Sequence, residues 1–184
     1  CVNPRHPRHP CAMRHQRAIL KNMKNIHQQN LILSSEIGQI CIRNKLTIST
    51  AESCTGGLLS SYITDISGSA KYFMMGLVVY NNIFKQKLLN VKDETIIFYG
   101  AVSEPVAKEM AENLKKITNT DITISITGIA GPTGGTKEKP VGTVFICIFY
   151  KDKLYSFREH FAGQRLEIKE QVCLFVFNQL KLLL

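Results

Sequence analysis

"TAESCTGG", residues 50–57, stands between a β-branched run, "KLTIST" (45–50), and the apolar run "LLSSYITDI" (58–66). A short buried strand, a glycine turn and a helix opening straight after it form one βα unit, and this unit sets the fold class. Adjacent glycines lose much backbone entropy on folding, so Gly56 and Gly57 mark a place where the chain needs unusual dihedrals or a close approach. The polar residues just before them either cap the helix or do chemistry.

Working outward, the same alternation repeats. Apolar residues recur at helical spacing from Gln28 to Arg43, which predicts an amphipathic helix ahead of the first strand. "MMGLVVY" (74–80) reads as a second strand. Residues 83–90 and 92–99 read as short helices. "AVSEPVAKEMAENLKKI" (101–117) is the clearest helix, with Ser103 as N-cap, Pro105 in the first turn and a Val106, Met110, Leu114 stripe. "DITISIT" (121–127) alternates as a strand and runs into the turn-rich "GIAGPTGGTKEKPVG" (128–142). "TVFICIFY" and "KLYSFREHF" form a hairpin across Lys151–Lys153, and a helix from about Leu166 to Leu182 closes the chain. The expectation is an α/β fold, a three-layer α/β/α sandwich on a mixed, mainly parallel sheet.

Composition fits one domain: 184 residues, 45% apolar, 20% charged. No run approaches the ~20 apolar residues of a membrane span. The net charge of +9 invites a nucleic-acid partner, yet Arg5, Arg8, Arg14, Arg17, Lys21 and Lys24 precede the first acidic residue, Glu36, and leave only +3 for residues 25–184. The charge belongs to a basic tail, residues 1–27, with Arg-His-Pro units and no apolar periodicity, so disorder is expected there and a domain over residues 28–184. Nucleic acid is therefore an unlikely partner on this reading. Six cysteines at 1, 11, 41, 54, 147 and 173 form no CxxC pair, a pattern that fits a reducing cytoplasm. Cys1, His6, His9, Cys11 and His15 could gather a metal, but their proline-rich spacing argues against it.

In an open α/β sheet, ligands bind beyond the carboxyl ends of the strands. TAESCTGG, "YNNIFK" (80–85) and the 128–142 loop all follow strands, so they are expected to converge on one site. Ser53 or Thr55 caps the helix, or Ser53 attacks an electrophile beside N–H groups at the helix start that hold an oxyanion. Of the histidines, only His27 and His160 lie beyond residue 17 and neither is in these turns, so a serine–lysine arrangement is the economical one, with Lys85 as base. Lys87, Lys71 and Lys139 are weaker candidates for that base. Cys54 is a rival nucleophile, ranked behind Ser53 for want of a partner base. The long loop matches neither GxxxxGK[ST] nor GxGxxG. Its Thr136, Lys137 and Lys139, with Arg165 opening the last helix, could still surround an anion.

Together, "TAESCTGG", "GAVSEPVAKEMAE" (100–112) and "TGIAGPTGGTKEKPVGTV" (127–144) resemble the CinA C-terminal domain family over roughly residues 30–182. The resemblance implies an α/β/α fold and a nicotinamide-nucleotide amidase that hydrolyses the carboxamide of nicotinamide mononucleotide to nicotinate mononucleotide and ammonia, with no metal or other cofactor. It puts the nucleophile region at Ser53 with Thr55, and the lysine at Lys85 with Tyr80 nearby. Gly56, Gly57, Thr127, Gly128, Thr136, Lys139 and Arg165 then fall to substrate binding, and Glu52 positions the ribose or holds the turn. Departures concentrate in YNNIFK, where Asn81 replaces a small hydroxyl residue and Ile83-Phe84 replace Glu-Ala. A small nucleotide is the expected partner, with homo-oligomer formation left open. The alternative is a non-catalytic nucleotide-phosphate-binding module linked to competence or DNA damage.

Overall fold

The computed structural model describes residues 10–184, with side chains described from residue 23 onward. The elements run α1 (Pro10–Asn44), β1 (Ile48–Glu52), α2 (Leu58–Thr64), a single 3-10 turn (Ser69–Lys71), β2 (Phe73–Val78), α3 (Asn82–Leu89), α4 (Asp93–Tyr99), α5 (Glu104–Thr118), β3 (Ile122–Gly128), β4 (Thr143–Tyr150), β5 (Lys153–His160) and α6 (Arg165–Leu183).

The strands form one sheet in the order β2-β1-β3-β4-β5. β1 pairs in parallel with β2 and β3, while β3–β4 and β4–β5 are antiparallel. Only β4 runs against the other four strands, so the sheet is mixed, as expected. α1, α2 and α6 cover one face, burying Ile48, Ile122, Ile124, Ile126, Val144, Ile146 and Ile148. α5 lies on the other face with α3 and α4, over Ala51, Phe145 and Cys147.

β3 explains how alternation survives in a strand buried on both sides. Its isoleucines turn to the first face. Its hydroxyls turn to the second: Thr123 donates to the Ala111 carbonyl at 2.8 Å, Ser125 to Ala107 at 2.6 Å and Thr127 to Ala101 at 2.8 Å. Small residues at 107 and 111 let α5 approach closely enough for these bonds, and every buried hydroxyl of that row is satisfied.

The tail expectation needs correction. α1 begins at Pro10, so residues 10–27 are helical rather than disordered. Residues 11–37 contain neither proline nor glycine, and Pro10 sits where a helix tolerates it. Once the buried half (Ile26, Asn30, Ser34, Ile37, Cys41) docks on α6 and α2, each further residue gains a hydrogen bond at little nucleation cost. Residues 1–9 and the side chains of the Cys1–His15 grouping lie outside the described residues. Among those described, no helix is long and apolar enough to cross a membrane.

Candidate functional site

β1, β2 and β3 are parallel neighbours, so their carboxyl ends open on one edge. A cavity of about 300 Å³ lies there, lined by Ser53 and Cys54 after β1, Tyr80, Asn82 and Lys85 after β2, Thr127–Gly131 with Thr133 and Gly134 after β3, Ala101 and Val102 before α5, and Arg165. The three segments singled out in sequence do converge.

The turn after β1 is built around Glu52. This carboxylate is fully buried at the end of the strand. It accepts from the N–H groups of Gly57 (3.0 Å), Leu59 (3.1 Å) and Ser60 (2.8 Å), and from the Ser60 hydroxyl at 2.6 Å. A negative charge on the orphan N–H groups of α2 does the work usually done by a capping serine or threonine. Gly56 and Gly57 both take left-handed backbone (φ 63° and 91°), folding the chain back so that these N–H groups face Glu52. Two expectations are thereby corrected. Glu52, Gly56 and Gly57 shape the turn and do not line the cavity. The N–H groups of Gly57, Leu59 and Ser60 are committed to Glu52, and those of Gly56 and Leu58 to the carbonyls of Ser53 and Thr55, so Cys54 and Thr55, not Gly56 or Gly57, hold the N–H groups of this turn left free of those bonds.

Ser53 is consequently not a cap. Its N–H is anchored to the Ile126 carbonyl at 2.9 Å, and its side chain lines the cavity with no hydrogen-bond duty elsewhere among the described residues. Thr55 is fully buried with an unpartnered hydroxyl and lies outside the cavity lining. Burial pushes the Cys54 thiol up to about 12, which keeps it protonated and a poor nucleophile.

Lys85 is 1% exposed, rare for a lysine. Its ammonium donates to the carbonyls of Val79 (2.9 Å) and Tyr80 (3.2 Å) and to Asn82 Oδ1 (3.4 Å). Burial lowers its pKa from the ordinary lysine value. The neutral amine keeps the two shorter bonds and turns its third position into an acceptor. Asn81, one of the departures in YNNIFK, caps α3 by accepting from the Ile83 N–H at 3.0 Å. Ile83 and Phe84 project to solvent, so the altered residues are not among those lining the cavity.

Arg165 reaches across the mouth, donating to the Gly131 carbonyl and to the Tyr80 hydroxyl, each at 2.6 Å. Tyr80 thus meets Lys85 through its carbonyl and Arg165 through its hydroxyl. A Cβ on Gly128 would lie 2.8 Å from Val144 Cγ2 and 2.9 Å from the Thr143 carbonyl, so only glycine leaves this wall open. Thr136 and Lys139 are not part of the site. Their segment closes on itself, Thr136 N–H to the Lys139 carbonyl and Lys139 N–H to Thr136 Oγ1, and the Lys139 ammonium is spent on the Tyr99 carbonyl at 2.7 Å. Thr133, Gly134, Ala101 and Val102 line the cavity and were not singled out; the glycine content of the loop was the one signal for the first two.

The fold and this three-strand site define a small α/β domain with a serine–lysine cavity at the parallel strand ends. A family model, the CinA C-terminal domain, matches residues 30–184. The chain belongs to that family. It is 49% identical over 142 residues to a CinA-like protein of Endomicrobium trichonymphae, covering 77% of this chain and 33% of that protein. Over 132 residues it is 49% identical to a competence-damage inducible protein of Thermoanaerobacter pseudethanolicus, covering 72% and 32% respectively. It therefore spans about a third of the length of these relatives. Among solved structures, a competence/damage inducible protein of Agrobacterium tumefaciens superposes with a TM-score of 0.82 at 33% identity, over 84% of this chain and 95% of that one. A CinA superfamily protein of Escherichia coli gives 0.79 at 37% identity, over 83% and 88%.

Proposed function

We propose that the domain is an amidohydrolase that converts nicotinamide mononucleotide to nicotinate mononucleotide and ammonia. The observation that carries this reading is the division of labour in the first turn. Glu52 takes the helix cap, which leaves the Ser53 hydroxyl directed at a cavity it shares with a buried, pKa-lowered lysine. A cap-only serine would have its oxygen on a helix N–H.

In this reading neutral Lys85 takes the proton from Ser53 Oγ as the oxygen attacks the carboxamide carbon. The C–N bond breaks, Lys85 returns the proton to the departing ammonia, and water cleaves the resulting ester by the reverse path. In this reading the oxyanion donors are backbone N–H groups of lining residues, that of Cys54 after β1 or those of Ala130, Gly131, Thr133 and Gly134 after β3. Arg165 is the cation at the mouth and holds the phosphate, while the Tyr80 hydroxyl, fixed by Arg165, keeps its own proton to donate to substrate.

An altered YNNIFK stretch would favour the binding-only alternative if its changed residues lined the cavity. Those residues cap α3 or face solvent, so they leave the serine–lysine pair untouched. Incubation of purified protein with nicotinamide mononucleotide, following ammonia and nicotinate mononucleotide together, tests the proposal. Stoichiometric release of both is expected. Tight nucleotide binding without release of either would return the domain to the binding-only class.

A further inference from the structure

Helices α3 and α4 present Ile83, Phe84, Leu88, Ile97, Phe98 and Tyr99 to solvent, from 46% exposed at Leu88 to 79% at Phe98. The two helices are tied together by Gln86 Nε2 donating to Asp93 Oδ1 at 2.6 Å, and both pack on α5. They share a buried cluster with Met75 and Leu77, so both helices overlie β2 on this side of the sheet. On the opposite side of the strand, towards α2, Met74 and Val78 are 48% and 53% exposed. With aromatic side chains of about 150–250 Å² each, the six side chains of α3 and α4 expose on the order of 700 Å². The largest apolar patch of a typical monomer is about 300–600 Å². A standard interface takes about 800 Å² from each partner.

β2 is also an edge strand, bonded only to β1. Edge strands are normally blunted by charge, proline or bulges. A shift in register opposite Ile48–Ser49 bulges its first residues, but Met75–Val78 run on regularly. The nine residues 72–80, "YFMMGLVVY", contain no charge and no proline. An unguarded edge flanked by a large apolar face is an aggregation hazard unless the native assembly covers it.

We propose that a second copy of this chain covers it, in a two-fold dimer that pairs β2 antiparallel with its counterpart. Three features select a second copy. The open edge is self-complementary, because antiparallel pairing about a two-fold satisfies the same N–H and C=O groups on both strands. The face exposes three aromatic and three aliphatic side chains, the residue types enriched in interface cores, beside the charged Lys87, Lys92, Asp93 and Glu94 that suit a rim. A two-fold perpendicular to the sheet keeps α3 and α4 of both copies on the same side, where they meet across the axis.

Sedimentation equilibrium of the full chain tests it. The expected mass is twice 20.7 kDa at tens of micromolar, and the Phe84→Glu/Phe98→Glu variant should be a monomer with an unchanged far-ultraviolet spectrum. Hydrogen exchange on the unmodified protein gives a reading independent of the variant: protection in residues 73–99 should rise with concentration. A wild-type monomer overturns the proposal, as does a dimer that survives the double substitution with the same stability. Binding to lipid vesicles by a monomeric chain would also overturn it, assigning the face to a membrane surface.

Discussion

Glu52 accepts both the hydroxyl and the N–H of Ser60, at 2.6 and 2.8 Å, from the end of a strand where it is wholly buried. This pair fixes the angle between β1 and α2 and so the path of Ser53–Gly56 between them. Glu52→Ala leaves three N–H groups, one buried and two part-buried, without their acceptor. At about 1–3 kcal/mol for a stranded buried group, with partial relaxation, the loss should be about 3 kcal/mol. Chemical denaturation should show it, whereas a residue that merely touched the ribose would leave stability unchanged.

Cys54→Ala should leave turnover within about twofold of wild type. The thiol sits up at about 12 through burial, so it contributes almost no thiolate at neutral pH. Steady-state kinetics and slow iodoacetamide labelling of the native protein check the same point. Inactivation by Cys54→Ala would move the attack to sulfur.

Lys85 gives a pH signature. Its folded pKa lies below the ordinary lysine value because burial disfavours the charge. The base works as the neutral amine, so kcat/KM should rise with pH and level off below the pH at which a solvated lysine titrates. Stability has the same sign. Between the folded and unfolded pKa values the unfolded chain binds more protons, so stability increases with pH across that window, and below it the cost of burying the ammonium is felt in full. Lys85→Met should abolish the rise in rate and flatten the stability profile.

Arg165→Ala should raise KM for the mononucleotide at least about tenfold with a smaller change in kcat, because ground and transition states share the phosphate contact. Lys139→Ala should do almost nothing, since its ammonium already sits on the Tyr99 carbonyl outside the cavity. Comparing nicotinamide riboside with the mononucleotide in both variants checks the assignment. Equal hydrolysis of the two by wild type would remove the phosphate role.

The βα order, the strand ends and the placement of Ser53 and Lys85 could be read from the sequence because residue periods of two and four locate elements, and parallel neighbours bring their ends together; Tyr80, Thr127 and Gly128 came with the family resemblance. β1 was read as ending at Thr50 and runs to Glu52. A carboxylate is a poor strand residue by propensity, and only the four hydrogen bonds from α2 make its burial tolerable. Lys139 and Thr136 were misplaced for a related reason. A cation in a glycine-rich loop looks the same whether it meets a ligand or a backbone carbonyl, and the self-closure of residues 136–139 is set by backbone bonds that no side-chain pattern encodes. The helical reach of residues 10–27 was hidden by the Arg-His-Pro units before it, although nothing after Pro10 interrupts a helix.

The most direct test of the account is ammonia release from nicotinamide mononucleotide by wild type and Ser53→Ala side by side, with thermal unfolding of both. The account predicts release by wild type, a fall of at least about a thousandfold in kcat for the variant, and nearly equal melting temperatures, because Glu52 holds the cap in either case. Turnover near the wild-type rate together with a lowered melting temperature would contradict it, making Ser53 a structural residue and placing the chemistry elsewhere.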